Sequence, residues 1–378
     1  MIFLDNASTT RPDKEVLLEI IEKSQYYANP SSNHRLGRQS KQLIENSRQT
    51  IAKYINCKPH EIIFVSSGTE ANSLALQGFA FANQCKGNHI ISSCIEHISV
   101  INNLRYLYKC GFDISYISVD ECGVIDSYAL EKSIRRDTIL ISIMTANNEI
   151  GTIQPIKEIG EIAKHFGITF HTDAIAAIGH CDIDVQKLNI DMMSISGHKV
   201  HSVKGSGFIY IKDNLSISPL HFGAGQNFGL NSGTENLSGI IGTGKAIELL
   251  AGGENKQNHI NILKLKTRLI EGLKRTISDF KFNGDLINGL PNIVNVSFAG
   301  IDGKRLLELL DEKGICASQG SACLSNCLRP HYIVKALGVN EKLARGTIRF
   351  SLSKYNTENE IDFLLSVLPE IIKEMRGE

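Results

Sequence analysis

Three cysteines, Cys316, Cys323 and Cys327, fall within twelve residues in CASQGSACLSNCLRPH (316–331). A structural zinc site wants two close Cys/His pairs, and here the spacings are seven and four with only His331 nearby. A disulfide is disfavoured in a chain without an export signal. What fits is one reactive thiol, Cys323, among the small residues of GSAC. The thiolate is the nucleophile, so exposure and a neighbouring charge such as Arg329 matter. Cys327 reads as a resolving thiol or as an inert one.

A second reactive type is Lys199 in SISGHKVHSVKGSG (194–207), a Ser/Gly/His turn following the strand-like DMMSIS. A lysine desolvated at a strand end loses its proton more easily and forms an imine with a carbonyl; the bland alternative is a surface lysine. In HTDAIAA (171–177), Asp173 follows another strand pattern. An acid there could bond a protonated ring nitrogen, or simply cap the next helix. SSGTEANS (66–73) lies between a strand and a helix. Gly68 permits close backbone approach, Thr69 adds a hydroxyl, and the helix start offers unpaired N–H groups, a combination that suits a phosphate. An ordinary capping turn accounts for the same residues. No Gly-Lys-Ser/Thr follows, so it is not a Walker motif.

These residues need elements to hold them. EIIFVSS, NHIISS, FDISYIS, TILISIM, ITFH, DMMSIS and FIYI are Ile/Val-rich runs with little alternation, separated by helical patterns such as 69–82 and 97–109. Strands buried on both faces look like that, and intervening helices imply a mainly parallel sheet. After about residue 250 the pattern changes. GGENKQN reads as a polar break, followed by a long amphipathic helix at 260–280, the strand NIVNVSF, a helix at 303–313, the Cys segment, the strand TIRFSL and a terminal helix at 357–376. This predicts a large α/β domain at 13–253, with 1–12 and 254–378 forming a smaller α+β domain that carries Cys323.

The bulk numbers bound the rest. The chain has 378 residues, which favours two domains, with 42% apolar and 21% charged residues. Lys+Arg and Asp+Glu are equal at 40 each, so no general attraction to nucleic acid is expected. MIFLDNASTT has neither a basic region nor a long apolar run, and no stretch approaches a membrane span. A cytoplasmic protein without membrane association is expected. Cys57, Cys85, Cys94, Cys110, Cys122 and Cys181 are scattered without ligand-like spacing and read as small buried core residues.

The ordered set of segments LDNASTT, NPSSNH, SSGTEAN, EH (96–97), NNEIG (147–151), HTDA, SGHK, SGTEN (232–236), GSAC and IRFSL resembles the cysteine desulfurases over essentially the whole chain. These are pyridoxal-phosphate enzymes of the class V aminotransferase group of fold type I. The resemblance implies a large domain with a mainly parallel seven-stranded sheet, pyridoxal 5'-phosphate as cofactor and L-cysteine as substrate. It implies that Lys199 holds the cofactor, Asp173 pairs with its ring nitrogen, His97 stacks on the ring and Asn148 bonds near the phenolic oxygen. Gly68, Thr69, Ser196 and His198 would surround the phosphate, with Thr234 reaching a phosphate across a homodimer interface. Arg349, helped by Asn29, would clamp the substrate carboxylate. Cys323 would take the substrate sulfur as a persulfide, leaving L-alanine, and pass it to an acceptor protein. Such acceptors include iron–sulfur scaffolds and carriers for tRNA or cofactor thiolation. The loop around Cys323 resembles the family subgroup in which it is extended.

This chain departs from the family pattern in places. Ala176 stands where the family has a Gln bonding the phenolic oxygen, and Asn227, Phe228 and Asn231 replace charged residues. SVKG follows the lysine instead of GPKG. Two other readings compete: a related selenocysteine or cystine lyase, against which Cys323 argues, and a weakly active homologue serving as an assembly partner.

Overall fold

The structure, a computed structural model, describes residues 1–320 and 332–377. Cys323, Cys327, Arg329 and His331 lie outside the described residues. The main sheet contains β2 (Ile62–Val65), β3 (His89–Ser93), β4 (Asp113–Ile117), β5 (Thr138–Ser142), β6 (Thr169–Asp173), β7 (Met192–Ser196) and β8 (Gly207–Ile211). Their spatial order is β2-β8-β7-β6-β5-β3-β4, with β8 antiparallel to both its neighbours and the other pairings parallel. The expected seven-stranded, mainly parallel sheet is what forms.

Along β2, β7 and β8, residues on the two faces feed two different cores, which is why these strands read as continuous apolar runs. Phe64, Met193, Ile195, Phe208 and Tyr210 pack with helices Arg35–Ile55, Ile156–Phe166 and Leu237–Ala251. Ile63, Val65, Met192, Ile209 and Ile211 pack on the opposite face with Leu74, Phe79, Val100 and Leu104. The helical stretch from Gly68 to Asn83 includes a wider π turn at Leu74–Gly78.

A separate three-stranded antiparallel sheet has the order β12-β10-β9, from Thr347–Ser351, Ile293–Phe298 and Phe280–Asn283. Helices Glu254–Thr276 and Glu358–Arg376 cover it through Leu265, Leu269, Leu273, Leu364 and Leu368. Leu4 joins this cluster, and β1 (Ile2–Phe3) pairs in parallel with β11 (Ile315–Cys316). In β12, Ile348 and Phe350 enter the apolar core, while Thr347, Arg349 and Ser351 face the other way. There Ser297 bonds Thr347 at 2.7 Å, and Asn295 donates 3.1 Å to the Glu149 carbonyl of the larger body.

Three sequence expectations need correction. The long helix begins at Glu254, inside the segment read as a break, and ends at Thr276. Its first turns are polar because they are largely exposed, and Glu254 favours a helix start. The strands β1, β9 and β11 were not anticipated, being only two to four residues long. None of the six scattered cysteines is fully buried, and Cys85 is exposed. Burial nonetheless pushes the Cys57 thiol up to about 12 and Cys181 up to about 11, which keeps both protonated.

Candidate active site

The carboxyl ends of β6 and β7 open onto a cavity of about 290 Å³ lined by Gly68, Thr69, His97, Asn148, Asp173, Ser196, His198, Lys199 and Arg349, among others. Asp173 is the last residue of β6 and Ser196 the last of β7; the register pairs Asp173 with Ser194. The chain then makes a tight 3-10 turn, Gly197–Lys199. A Cβ at Gly197 would lie 2.6 Å from the Thr243 hydroxyl and 3.0 Å from the Ser206 carbonyl, so this turn requires glycine.

Lys199 Nζ donates to the carbonyls of Ala7 and Ser8, the latter at 2.8 Å. Asp173 is buried; its Oδ1 accepts from the Ile175 N–H at 3.0 Å and its Oδ2 from the Asn72 amide at 2.8 Å. His97 ends the turn after β3 and caps helix Ile98–Lys109, with Nδ1 2.8 Å from Ser99 Oγ. Burial lowers the His97 pKa; the Asp173 charge opposes this and Lys199 adds to it. His198 is pushed down to about 4 by burial and by the charges of Lys199 and Lys204, so it is neutral at pH 7.

Arg349 is almost wholly buried on the polar face of β12. One terminal nitrogen donates to Asp5 Oδ1 and Ser8 Oγ, both at 2.7 Å, and the other to the Asn148 carbonyl at 3.0 Å. Its Nε is buried with no hydrogen-bond partner among the described residues. A buried orphan donor on a paired guanidinium is suited to an incoming carboxylate.

The N-terminal segment therefore does more than its motif suggested. Asp5 and Ser8 hold Arg349, while the next backbone carbonyls hold Lys199, so one short stretch joins the two cationic ends of the cavity. Asn72, Ser99, Asp5 and Ser8 were not among the expected site residues. Asn72 lay within SSGTEANS, three positions after Thr69, which was the available signal.

Two expected residues lie elsewhere in the single chain. Asn29 is in an exposed turn, with Oδ1 accepting from Ser31 N at 2.9 Å, and it does not line this cavity. Thr234 lines a second cavity, together with Ser67, Thr69, Asn227 and Asn231. Ala176 lines the first cavity, where its methyl offers no hydrogen bond.

The residues present fit a pyridine cofactor bearing a phosphate. Ser196 Oγ is buried without a partner among the described residues. A Cβ at Gly68 would meet the tip of the Ile175 side chain, 2.2 Å from Cδ1, and would lie 3.4 Å from Ser196 Cβ, so the bare glycine backbone keeps space open between them. Ser67 caps the helix that starts there, its Oγ accepting from Glu70 N at 3.2 Å. An amine, a buried carboxylate and an anion cradle thus meet around one space.

The protein-family model described as Aminotransferase class-V matches residues 2–364. The chain is 46% identical over 377 residues to the cysteine desulfurase IscS of Methanosarcina thermophila, covering all of this chain and 93% of that one. It is 45% identical over 377 residues to the enzyme of the same name from Dictyoglomus turgidum, covering 99% and 95%. Among solved structures, a NifS-like protein superposes with a TM-score of 0.92 at 37% identity, covering 99% of both chains. A NifS-like protein from Rickettsia africae gives a TM-score of 0.89 at 33% identity over the full length of both. Full-length identity at this level, on the same fold, shows that this chain belongs to the cysteine desulfurases of the class-V aminotransferase family.

Proposed function

We propose that the protein is a pyridoxal-phosphate-dependent cysteine desulfurase. It removes sulfur from L-cysteine, releases L-alanine and leaves a persulfide on Cys323 for an acceptor protein. The observation that carries this reading is the convergence of Lys199, Asp173 and His97 on one cavity that Arg349 closes from the second sheet. A structure titled as SspA in complex with cysteine, 35% identical with a TM-score of 0.83 and covering 94% of this chain, supports cysteine as the substrate class.

When bound, the cofactor supplies an electron sink for the substrate amino group. Lys199 would hold it covalently, Asp173 would keep its ring nitrogen protonated, and Gly68, Thr69, Ser196 and His198 would surround its phosphate. Asn148 would bond near the phenolic oxygen. Arg349 would orient the substrate through its carboxylate, using the orphan Nε. Lys199, displaced by substrate, would move the Cα proton. Cys323 sulfur would bond to the substrate sulfur as the Cβ–S bond breaks; that electron pair goes to carbon, which gains a proton. Thr234 is assigned to a phosphate site completed in a homodimer. The same reading divides the chain into 13–253 and a smaller body of 1–12 with 254–378, supported by Leu4 lying in the C-terminal apolar cluster.

The purified protein should be yellow, and borohydride should fix the cofactor on Lys199. Incubation with cysteine should release alanine and add one sulfur atom to Cys323 by mass. Cys323→Ser should lower turnover at least ~100-fold while leaving the colour unchanged. Unaltered turnover in that variant would favour a lyase, and a colourless protein would favour an assembly partner without catalysis.

A further inference from the structure

Asn72, Ser99 and His97 form a hydrogen-bonded chain whose direction is fixed by its ends. The Asn72 amide nitrogen lies 2.8 Å from Asp173 Oδ2 and 2.9 Å from Ser99 Oγ. A carboxylate oxygen accepts, so the group facing it is the NH₂ end of Asn72, and its second hydrogen goes to Ser99 Oγ. Ser99 Oγ has one hydrogen of its own, and His97 Nδ1 lies 2.8 Å away. The Ser99 backbone N–H, which can only donate, also points at Nδ1 from 3.2 Å. Two donors therefore converge on Nδ1.

We infer that Asn72 and Ser99 are positioning residues that fix His97 as the neutral tautomer with its proton on Nε2, making it a hydrogen-bond donor to the cavity and not a proton acceptor. This rests on the assignment of His97 to the cofactor ring. Protonating His97 would place an N–H at Nδ1 against the fixed Ser99 N–H, so the imidazolium is disfavoured by geometry as well as by burial. Among the described residues, the charged groups facing the ring are Asp173, which favours the cation, and Lys199, which opposes it. Glu96, one residue earlier, is pushed up to about 8 by burial and so is largely neutral at pH 7. Asn72 thereby links the residue that would pair with the cofactor nitrogen to the residue that would stack on the ring. Transfer of the Cα proton then falls to Lys199.

The test is histidine ¹⁵N NMR on the full-length protein, before and after addition of pyridoxal 5'-phosphate, with His97 assigned by its loss in His97→Gln. The expected spectrum has Nδ1 unprotonated and Nε2 protonated from pH 6 to 8. Ser99→Ala should raise the ring's protonation midpoint by about 0.5–1 pH unit, the effect of one hydrogen bond, and Ser99→Thr should restore it. Asn72→Ala, which frees the Ser99 hydroxyl to turn away while the Ser99 backbone N–H stays on Nδ1, should raise the midpoint in the same direction by less than Ser99→Ala. A proton on Nδ1 in the unaltered protein overturns the inference, as does a ring unmoved by both Ser99→Ala and Asn72→Ala. Cofactor absorbance and alanine release, recorded on the same samples, report separately on the proposed function. A protein that binds no cofactor but shows the Nε2 proton would sink that function and leave the tautomer assignment standing.

Discussion

Glu96 is a charge-bearing residue in a place that does not tolerate charge. It is fully buried; Oε1 accepts from Met144 N at 2.9 Å and Ser93 Oγ at 2.7 Å, while Oε2 has no partner among the described residues. Its main-chain carbonyl accepts from the Tyr332 hydroxyl at 2.5 Å, so the turn leading to His97 is tied to a residue just after the Cys323 segment. Burial pushes the carboxyl from 4.5 up to about 8, with nearby Asp173 adding to the rise. Between those two values the folded chain holds a proton that the unfolded chain has lost, so stability falls as pH rises through this window. By pH 7 the loss is on the order of 3 kcal/mol. Glu96→Gln keeps an acceptor for Met144 and Ser93 and removes the titration. The variant should be about 1–3 kcal/mol more stable than wild type at pH 7.5 and should converge with it near pH 5. Urea unfolding at both pH values measures this, and parallel curves would refute it.

Packing of the helices around the main sheet depends on small residues at points of contact. Helix Leu237–Ala251 crosses helix Arg35–Ile55 where a Cβ on Gly244 would lie 2.7 Å from Ser47 Cβ and Oγ and 3.0 Å from its Cα. The Ser47 backbone cannot yield without moving its helix, so Gly244→Ala should destabilise by about 1–3 kcal/mol. Ser47→Gly costs ~1 kcal/mol alone as a helix-interior glycine. It should cancel most of the Gly244→Ala loss when the two are combined, giving a coupling that urea midpoints of the four proteins would reveal. At this scale the sequence was most readable for the main sheet. β2, β5, β7 and β8 were marked by Ile/Val/Met-rich runs because they are buried along their whole length, whereas β4 is partly exposed and β6 is polar apart from Phe170. The reversal of β8 was not readable, since FIYI has the same pattern in either direction. The start of helix Glu254–Thr276 was missed because its exposed turns carry polar residues that resemble a loop. Lys199 and Asp173 were visible as reactive types at strand ends. Asn72 was not, because its role comes from Asp173, 101 residues away in sequence.

Across the whole molecule, the two sheets are joined through buried polar contacts as well as apolar ones. Lys266 lies on helix Glu254–Thr276, whose leucines pack on the smaller sheet, yet its Nζ donates 2.8 Å to the Leu290 carbonyl. Leu290 N–H in turn donates 2.7 Å to the Gly151 carbonyl, in the segment containing Asn148, whose carbonyl receives Arg349. Burial pushes the ammonium from 10.5 down to about 8, with Asp285 partly opposing. Below pH 8 both folded and unfolded chains carry this proton, and the folded state bears the full desolvation cost. Between 8 and 10.5 the unfolded chain keeps a proton that the folded chain has released, so stability attributable to Lys266 rises with pH. Lys266→Met removes that cost together with the bond to Leu290. Relative to Lys266→Met, wild type should therefore gain about 1–3 kcal/mol of stability between pH 7 and pH 10. Urea unfolding of both proteins at the two pH values isolates this term, because every other titrating group is common to the pair. A wild-type-minus-variant difference independent of pH would mean that Lys266 keeps its proton through hydration and that the junction between the two sheets is wetter than its burial implies.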